Sequence, residues 1–533
     1  MNRKTLVLPA VVGLLAPVLA ACGATDSGNS GGKAIVVGVT DTFVSGKDAP
    51  APFDPAYTYD SGAWNILRPA LQSLLQIPRG GGQPVPDAAT DCRFTDTENE
   101  SYRCKLRSGL EFSNGDKLTA SDVKYSLDRV SRIHDSNGPA GLFDNIDTIE
   151  TVSGTELVFH LKTPDATFPY KLATPAAGIV EKGTYAPNRL RKGFAVDGSG
   201  PYTLKTVVKN DRLEKAVFTK NPRYKGVLQL QNDKVEIRSF TDAAAMGKAL
   251  KSGEIDMMTR TLSPSQIKEL SAGSTQNINF IESPGLGIRY LGFNTDDPSV
   301  KNKAVRQAMS ALVDRGQIAS EVYGATAEPL YSLIPSGMAG HTNSFFDKYG
   351  NPSKTEAAKI LHNAGINDKV RLTLHYTNDH YGPETAKEFA LLKQQLNASG
   401  LFDVKIQGTP WATFRPAELH GDYAVYGLGW FPDFPDSDNF IAPFLGKGNF
   451  LNTPYANNAI RTKYIPDSRR AADRTAATAP FQKIQDIVAD DVPVLPLWQG
   501  KQYVAARDDL TGAEWALSSS SALQIWELGR GVS

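Results

Sequence analysis

The alternation of strand-like and helical segments between residues 370 and 430 constrains the fold more than any other feature of the chain. Residues 370–376 read as a strand, 383–399 as a helix and 402–407 as a second strand; a helix follows around 411–419, and a third strand starts at Tyr423. Such β–α–β units imply parallel strands joined by right-handed crossovers, and so an α/β fold. The pattern recurs earlier. Residues 234–240 form a strand, Thr241 is placed to cap a helix over 242–252, Gly253 suits its stop, and 255–258 form the next strand. From Lys303, the apolar residues Val305, Ala308, Met309, Leu312 and Val313 mark one helical face. Ser353 with Glu356 makes a capping box, and Ala357, Ile360, Leu361 and Ala364 a stripe that Gly365 ends. Residues 34–40 (AIVVGVT) read as a buried strand, and 64–75 as an amphipathic helix.

The strand from Tyr423 leads into YAVYGLGWFPDFPDSDNF, residues 423–440. Its apolar start is expected to break at Gly427 and Gly429 into a loop carrying Trp430, Phe431, Asp433, Phe434, Asp436, Asp438 and Asn439, stiffened by Pro432 and Pro435. In open α/β sheets ligands bind beyond the carboxyl ends of strands. The rings of this loop, Trp430 and Phe431 among them, suit apolar walls, and a carboxylate supplies a polar anchor. A surface turn is the alternative, since Asp, Asn, Gly and Pro favour turns. Tyr57, in the aromatic Pro-rich loop DPAY at 54–57, is a candidate for the opposite wall.

The N-terminus reads as a targeting segment. Arg3 and Lys4 precede an apolar run over 6–21, which is short for a membrane span, and Leu19-Ala20-Ala21-Cys22 resembles a bacterial lipobox. That resemblance implies cleavage before Cys22 and lipid on its sulfur; an ordinary secretory signal is the alternative. Residues 22–33 have the composition of a flexible tether. The expected location is the outer face of the cell membrane, at the cell surface or in the periplasm. Of three cysteines, Cys92 and Cys104 then remain as a pair in an oxidising compartment, placed to staple a hairpin, or else stand as two free buried thiols. With 57 basic against 57 acidic residues, no bulk charge draws the chain to nucleic acid.

No nucleophile elbow, P-loop, His-Glu-x-x-His or paired-cysteine zinc motif occurs, so neither cofactor nor metal is expected. The seven histidines are scattered, with His375 and His380 flanking one loop. Asp433, Asp436 and Asp438 depart in spacing from a calcium loop. One Pro-stiffened loop is also ill suited to place two facing catalytic carboxylates.

The block over 101–130 has a strand, a turn at Asn114-Gly115, and a helix capped by Thr119. It resembles the signature block of the family 5 extracellular solute-binding proteins, the oligopeptide, dipeptide and nickel receptors of ABC importers. The likeness is carried by Leu106, Arg107, Gly109, Phe112, Asn114, Gly115, Thr119, Asp122, Val123 and Ser126. It continues through Gly198-Ser199-Gly200-Pro201-Tyr202, Asn221-Pro222-Arg223-Tyr224, Tyr290-Leu291-Gly292-Phe293-Asn294, Lys303-Ala304-Val305-Arg306-Gln307-Ala308 and the strand at 492–497. The resemblance implies a periplasmic-binding-protein-like α/β fold (class II, cluster C): two lobes with a hinge, and an extra domain in the first lobe. Domain I would take 34–60, 198–283 and 501–533, domain II 61–197, and domain III 284–500, after a signal peptide over 1–21. It further implies a monomeric, non-enzymatic receptor that hands peptides to permease subunits driven by cytoplasmic ATPases. In its peptide-binding members Gly-Trp-x-x-Asp sets an aspartate against the peptide ammonium, a role that falls here on Asp433, with Trp430 on the ligand backbone. Asp436, Asp438 and Asn439 are expected to cap the next helix. Arg415 is a weak candidate for the ligand carboxylate, being expected on a helix surface. A nickel chelate or oligosaccharide as cargo, or a secreted hydrolase, are the alternatives.

Overall fold

The computed structural model describes residues 33–531 apart from 48, 260, 261, 274 and 450. The expected signal peptide, the lipidation of Cys22 and all of the tether but Lys33 lie outside the described residues. Within them, no helix is long and apolar enough to cross a membrane.

Two mixed sheets carry the molecule. The first has seven strands in the order Ile278–Ser283, Gln502–Arg507, Met257–Thr259, Ile35–Val39, Lys234–Ser239, Arg212–Lys220 and Tyr202–Lys209. Ile35–Val39 lies between Lys234–Ser239 and Met257–Thr259, parallel to both, as the β–α–β reading requires. The helix between them, Ala243–Ser252, is capped by Asp242 rather than Thr241. The Asp242 carboxylate accepts from the backbone N–H of Ala245 at 2.8 Å, and an ionised cap also favours the positive end of the helix dipole. The helix expected over 64–75 runs instead over Ser61–Ala70, because Asp60 accepts from the N–H of Ala63 and starts it earlier.

The second sheet has the order Ala327–Pro329, Val494–Gly500, Ile288–Phe293, Val425–Trp430, Val370–Thr377 and Phe402–Thr409. Val370–Thr377 pairs in parallel with Phe402–Thr409 and with Val425–Trp430. The expected break at Gly427 and Gly429 does not occur; the strand runs through both to Trp430. These glycines are there for closeness instead. A Cβ at Gly427 would run into the Phe389 ring, and one at Gly429 into the Arg289 guanidinium.

A four-stranded antiparallel sheet, Ala89–Phe94, Ser101–Leu106, Glu156–Leu161 and Ile146–Ser153, shares one apolar core with the first sheet. Cys92 and Cys104 face each other in its first hairpin and are joined by a disulfide. Thr119 and Asp122 form the expected cap at Ala120–Ile133, the Thr119 N–H donating to Asp122 at 2.9 Å.

The chain passes between the two large sheets at two adjacent places, from Ile278–Ser283 to Ile288–Phe293 and from Val494–Gly500 to Gln502–Arg507. The crossings touch: the N–H of Gly500 donates to the Gly287 carbonyl at 2.9 Å. A Cβ at Gly285 would stand 2.5 Å from the Gly500 carbonyl oxygen, so the backbones approach as only glycine allows.

Replacing both Cys92 and Cys104 by Ser should lower stability by roughly 3 kcal/mol, given so short a loop. The effect would be read as a lower urea midpoint, with a slope no smaller than the parent's because the unfolded chain loses a cross-link. An unchanged midpoint would show that the bond adds nothing to stability.

Candidate functional site

The loop after Val425–Trp430 is held from below by two buried ion pairs. Arg474 grips both oxygens of Asp436 at 2.7 and 2.9 Å, and Arg469 both oxygens of Asp438 at 3.0 and 2.9 Å. Asp436 is 5% exposed and Asp438 2%, so neither faces ligand. Asp436 also caps the short helix Ser437–Phe440, accepting from the N–H of Asp438 at 2.8 Å, as expected. Asn439 departs from the expectation. It turns back along the loop, its side-chain oxygen accepting from the Asp433 N–H at 2.8 Å and its amide donating to Asp433 Oδ2 at 3.0 Å.

Asp433 stands where the two lobes meet. Tyr59, from the first lobe, donates its hydroxyl to the same Oδ2 at 2.6 Å. Both donors therefore use one oxygen; Oδ1 retains accepting capacity, and the residue stays partly exposed. Burial raises the Asp433 carboxyl to about 6, against the opposing pull of Tyr59, Asn439 and the charge of Lys171. Burial and the neighbouring carboxylate push the Tyr59 hydroxyl well up, so Tyr59 is a proton donor at neutral pH. Further contacts close the lobes around this point. The Ala166 N–H donates to the Arg469 carbonyl at 2.8 Å, and Asn99 on the disulfide hairpin donates to the Arg470 carbonyl at 2.9 Å. The rings of Tyr170 and Phe434 stack at 5.7 Å.

Other sequence-predicted residues fall differently. Trp430 is 6% exposed and packs edge-on against Phe444, within the second lobe's core. Phe431, at 38% exposure, lines a cavity of about 210 Å³ beside the strand crossings, together with Arg289, Tyr381, Trp498 and Lys501. Tyr57 is half-buried in a turn, its N–H donating to the Asp54 carbonyl at 2.9 Å. Tyr59, two residues on, is the tyrosine that reaches Asp433; the sequence offers two tyrosines in DPAYTYD and no local signal to choose between them. Arg415 is paired with Glu418 on its own helix rather than lying free on a surface. His375 stacks on Tyr423 at 4.1 Å and His380 on Trp411 at 3.9 Å. Among the described residues no group of three or more His, Cys, Asp or Glu is placed to hold a metal ion.

Comparison with known proteins agrees with this architecture. Residues 83–452 match the model of "Bacterial extracellular solute-binding proteins, family 5 Middle". The chain is 26% identical over 488 residues to the probable D,D-dipeptide-binding periplasmic protein DdpA of Escherichia coli, covering 89% of this chain and 91% of that protein. Its fold superposes with a TM-score of 0.79 on the ABC transporter-associated periplasmic binding protein DppA of Helicobacter pylori in complex with the peptide STSA, at 21% identity, over 94% of this chain and 98% of that one. A dipeptide-binding protein of Pseudoalteromonas sp. SM9913 in complex with Met-Leu gives 0.78 at 20% identity, over 94% and 100% of the two chains. The family is one of binding proteins, not enzymes. The chain belongs to the bacterial extracellular solute-binding proteins, family 5.

Proposed function

We propose that this protein is a lipid-anchored receptor, attached through Cys22, that captures short peptides between its lobes and delivers them to the permease of an ABC importer, with Asp433 holding the peptide α-ammonium. The carrying observation is the placement of Asp433. It is a largely dehydrated carboxylate at the meeting of the lobes, fixed by Asn439 and Tyr59 through one oxygen, with accepting capacity left on the other. Every unmodified peptide carries an α-ammonium whatever its side chains, so one such carboxylate serves many sequences. A charge-assisted hydrogen bond of this type is worth roughly 1.5–3 kcal/mol net. The peptide complexes of the structural relatives and the dipeptide-binding name of the relative from E. coli support the same substrate class. Domain I (34–60, 198–283, 501–533) with domain II (61–197) would form one jaw, and domain III (284–500) the other. Phe431 borders the ligand space, Tyr59 takes the wall position expected of Tyr57, and Trp430 supports the loop from within the core.

Asp433→Asn should weaken peptide binding by about 2–5 kcal/mol in calorimetry, because it leaves the ligand cation buried without its counter-charge. Equal affinity in parent and variant would refute the assignment.

Acid should weaken binding as well. The free carboxyl titrates near 6, and a bound ammonium pulls that value down. Binding must then expel a proton below about pH 6, and affinity should fall by up to tenfold per pH unit as pH drops. The same raised value acts oppositely on the ligand-free chain: the folded state holds this proton more tightly than the unfolded chain, so the group's contribution to folding is present in acid and lost as pH rises through about 6. Calorimetric titrations from pH 5 to pH 8 should show the binding slope in the parent, and its disappearance in Asp433→Asn.

A further inference from the structure

The cavity beside the strand crossings, about 210 Å³, is walled by rings and aliphatic side chains from both lobes. Phe431, Trp498 and Tyr381 line it from the second lobe, Ile267 and Leu517 from the first. The polar side chains on its wall are engaged with other partners. Lys501 is paired with Glu282 at 2.8 Å, and Thr326 donates to the Tyr323 carbonyl at 2.8 Å. The Gln502 amide donates to the carbonyls of Ser518 and Ser519 at 2.8 and 2.7 Å.

The rings are held by contacts of their own. Trp498 donates from Nε1 to Glu388 at 3.1 Å, and the Tyr323 hydroxyl donates to the other oxygen of that carboxylate at 2.6 Å. The Tyr381 hydroxyl accepts from the Gly429 N–H at 3.1 Å. Phe431 rests on Gly287, where a Cβ would stand 2.8 Å from its ring. Walls fixed in this way lose little freedom when a ligand meets them.

Arg289 lines the same space. Its guanidinium lies 3.6 Å from the centre of the Tyr381 ring, 5.3 Å from Trp498 and 5.8 Å from Phe431. A guanidinium is planar and weakly hydrated, and it stacks on aromatic faces. Away from water that attraction strengthens. A ligand ring in this cavity meets a cation as well as hydrocarbon, whereas an aliphatic side chain of equal bulk gains from the hydrocarbon alone.

Size and reach narrow the ligand further. A cavity of roughly 150 Å³ lined by Leu, Ile and Phe takes one benzene. This one has room for a benzyl, hydroxybenzyl or indolyl group, and is below the ~300–1,000 Å³ common for drug-sized ligands. Phe431, on the wall, precedes Asp433 by two residues, and two residues of chain span at most about 7 Å. A peptide with its ammonium at Asp433 therefore brings its first or second side chain to this wall.

We propose that the cavity is a side-chain pocket selective for an aromatic residue, the first or second of the peptide, so that the receptor's cargo is short peptides bearing an aromatic side chain near the N-terminus. This rests on the reading of Asp433 as the ammonium site.

The full-length protein is titrated by calorimetry with two tripeptide series, Xaa-Ala-Ala and Ala-Xaa-Ala, in which Xaa is Phe, Tyr, Trp, Leu, cyclohexylalanine or Ala. At one of the two positions the aromatic peptides should bind about tenfold tighter than those with Leu or cyclohexylalanine. They should bind about tenfold to a hundredfold tighter than Ala-Ala-Ala. Cyclohexylalanine keeps the bulk of Phe and removes the π-face, so equal affinity for the two overturns the proposal, as does a flat profile at both positions. Arg289→Met should bring the ratio of Phe to cyclohexylalanine to about one. The comparison within the parent needs no variant, so it decides even if Arg289→Met does not fold. Both series are also made N-acetylated, which separates the two readings. A flat profile with N-acetyl peptides rejected overturns the pocket and leaves Asp433 in place. An aromatic preference that survives N-acetylation at undiminished affinity overturns the Asp433 reading alone, and failure to bind any of these peptides overturns both.

Discussion

Two buried arginine–aspartate pairs fix the path of what would otherwise be a surface turn. Arg469 and Arg474 lie five residues apart on one segment, and each closes a two-pronged grip on an aspartate of the 431–440 loop. Such pairs contribute little net stability, because dehydrating both charges offsets their attraction, but removing one partner leaves a buried charge and is costly. Their effect here is geometric. With Asp436 and Asp438 held, the loop has one backbone path, Asn439 folds back onto Asp433, and a single acid is presented at the cleft. The same arginine segment reaches the first lobe, through the Arg469 and Arg470 carbonyls that accept from Ala166 and Asn99. What shapes the loop therefore also meets the opposite jaw.

The hinge complements this rigidity. Two adjacent strand crossings join the sheets, the Gly500 N–H donating to the Gly287 carbonyl, and their backbones lie so close at Gly285 that a side chain there would separate them. A link of that kind confines relative motion of the lobes to bending about one line, as in other two-lobed binding proteins. The cavity holding Arg289 adjoins the crossings, where bending displaces atoms least. Tyr59, Ala166 and Asn99 make their cross-lobe bonds through residues far along the chain from the crossings.

Much of this was legible in the sequence because it is locally encoded. Hydrophobic period and caps mark the helices at Ala120–Ile133 and Lys303–Leu312, and the β–α–β alternation fixes the parallel pairing around Ile35–Val39. Gly-Trp-x-x-Asp singled out Asp433, which stands at the meeting of the lobes. What stayed hidden depends on distant packing. Gly427 and Gly429 look like strand breakers until Phe389 and Arg289 are seen filling the space a side chain would need. Tyr59 and Tyr57 are equivalent by composition, and the choice is made by a residue 374 positions away. Asn439 resembles a cap until its loop is folded. Trp430 satisfies the family motif while its ring serves the core.

The proposed ammonium-binding role of Asp433 would tie capture to closure. Burial between the lobes raises the proton affinity of this carboxylate, because dehydration disfavours its ionised form. The Tyr59 hydroxyl offsets part of it, and so does Lys171, although Lys171 is already committed to Asp165 at 2.5 Å. A neutral hydroxyl and a shared ammonium leave the carboxylate under-compensated. In the proposed role, a ligand cation at the free oxygen would supply the missing charge in the closed form, where the dielectric is low, far more than in the open form, where water already does so. Differential stabilisation of that kind is the only way a ligand can shift a conformational equilibrium. Under the proposed role, the acid that holds the solute's ammonium is thus also a group whose dehydration opposes closure without ligand.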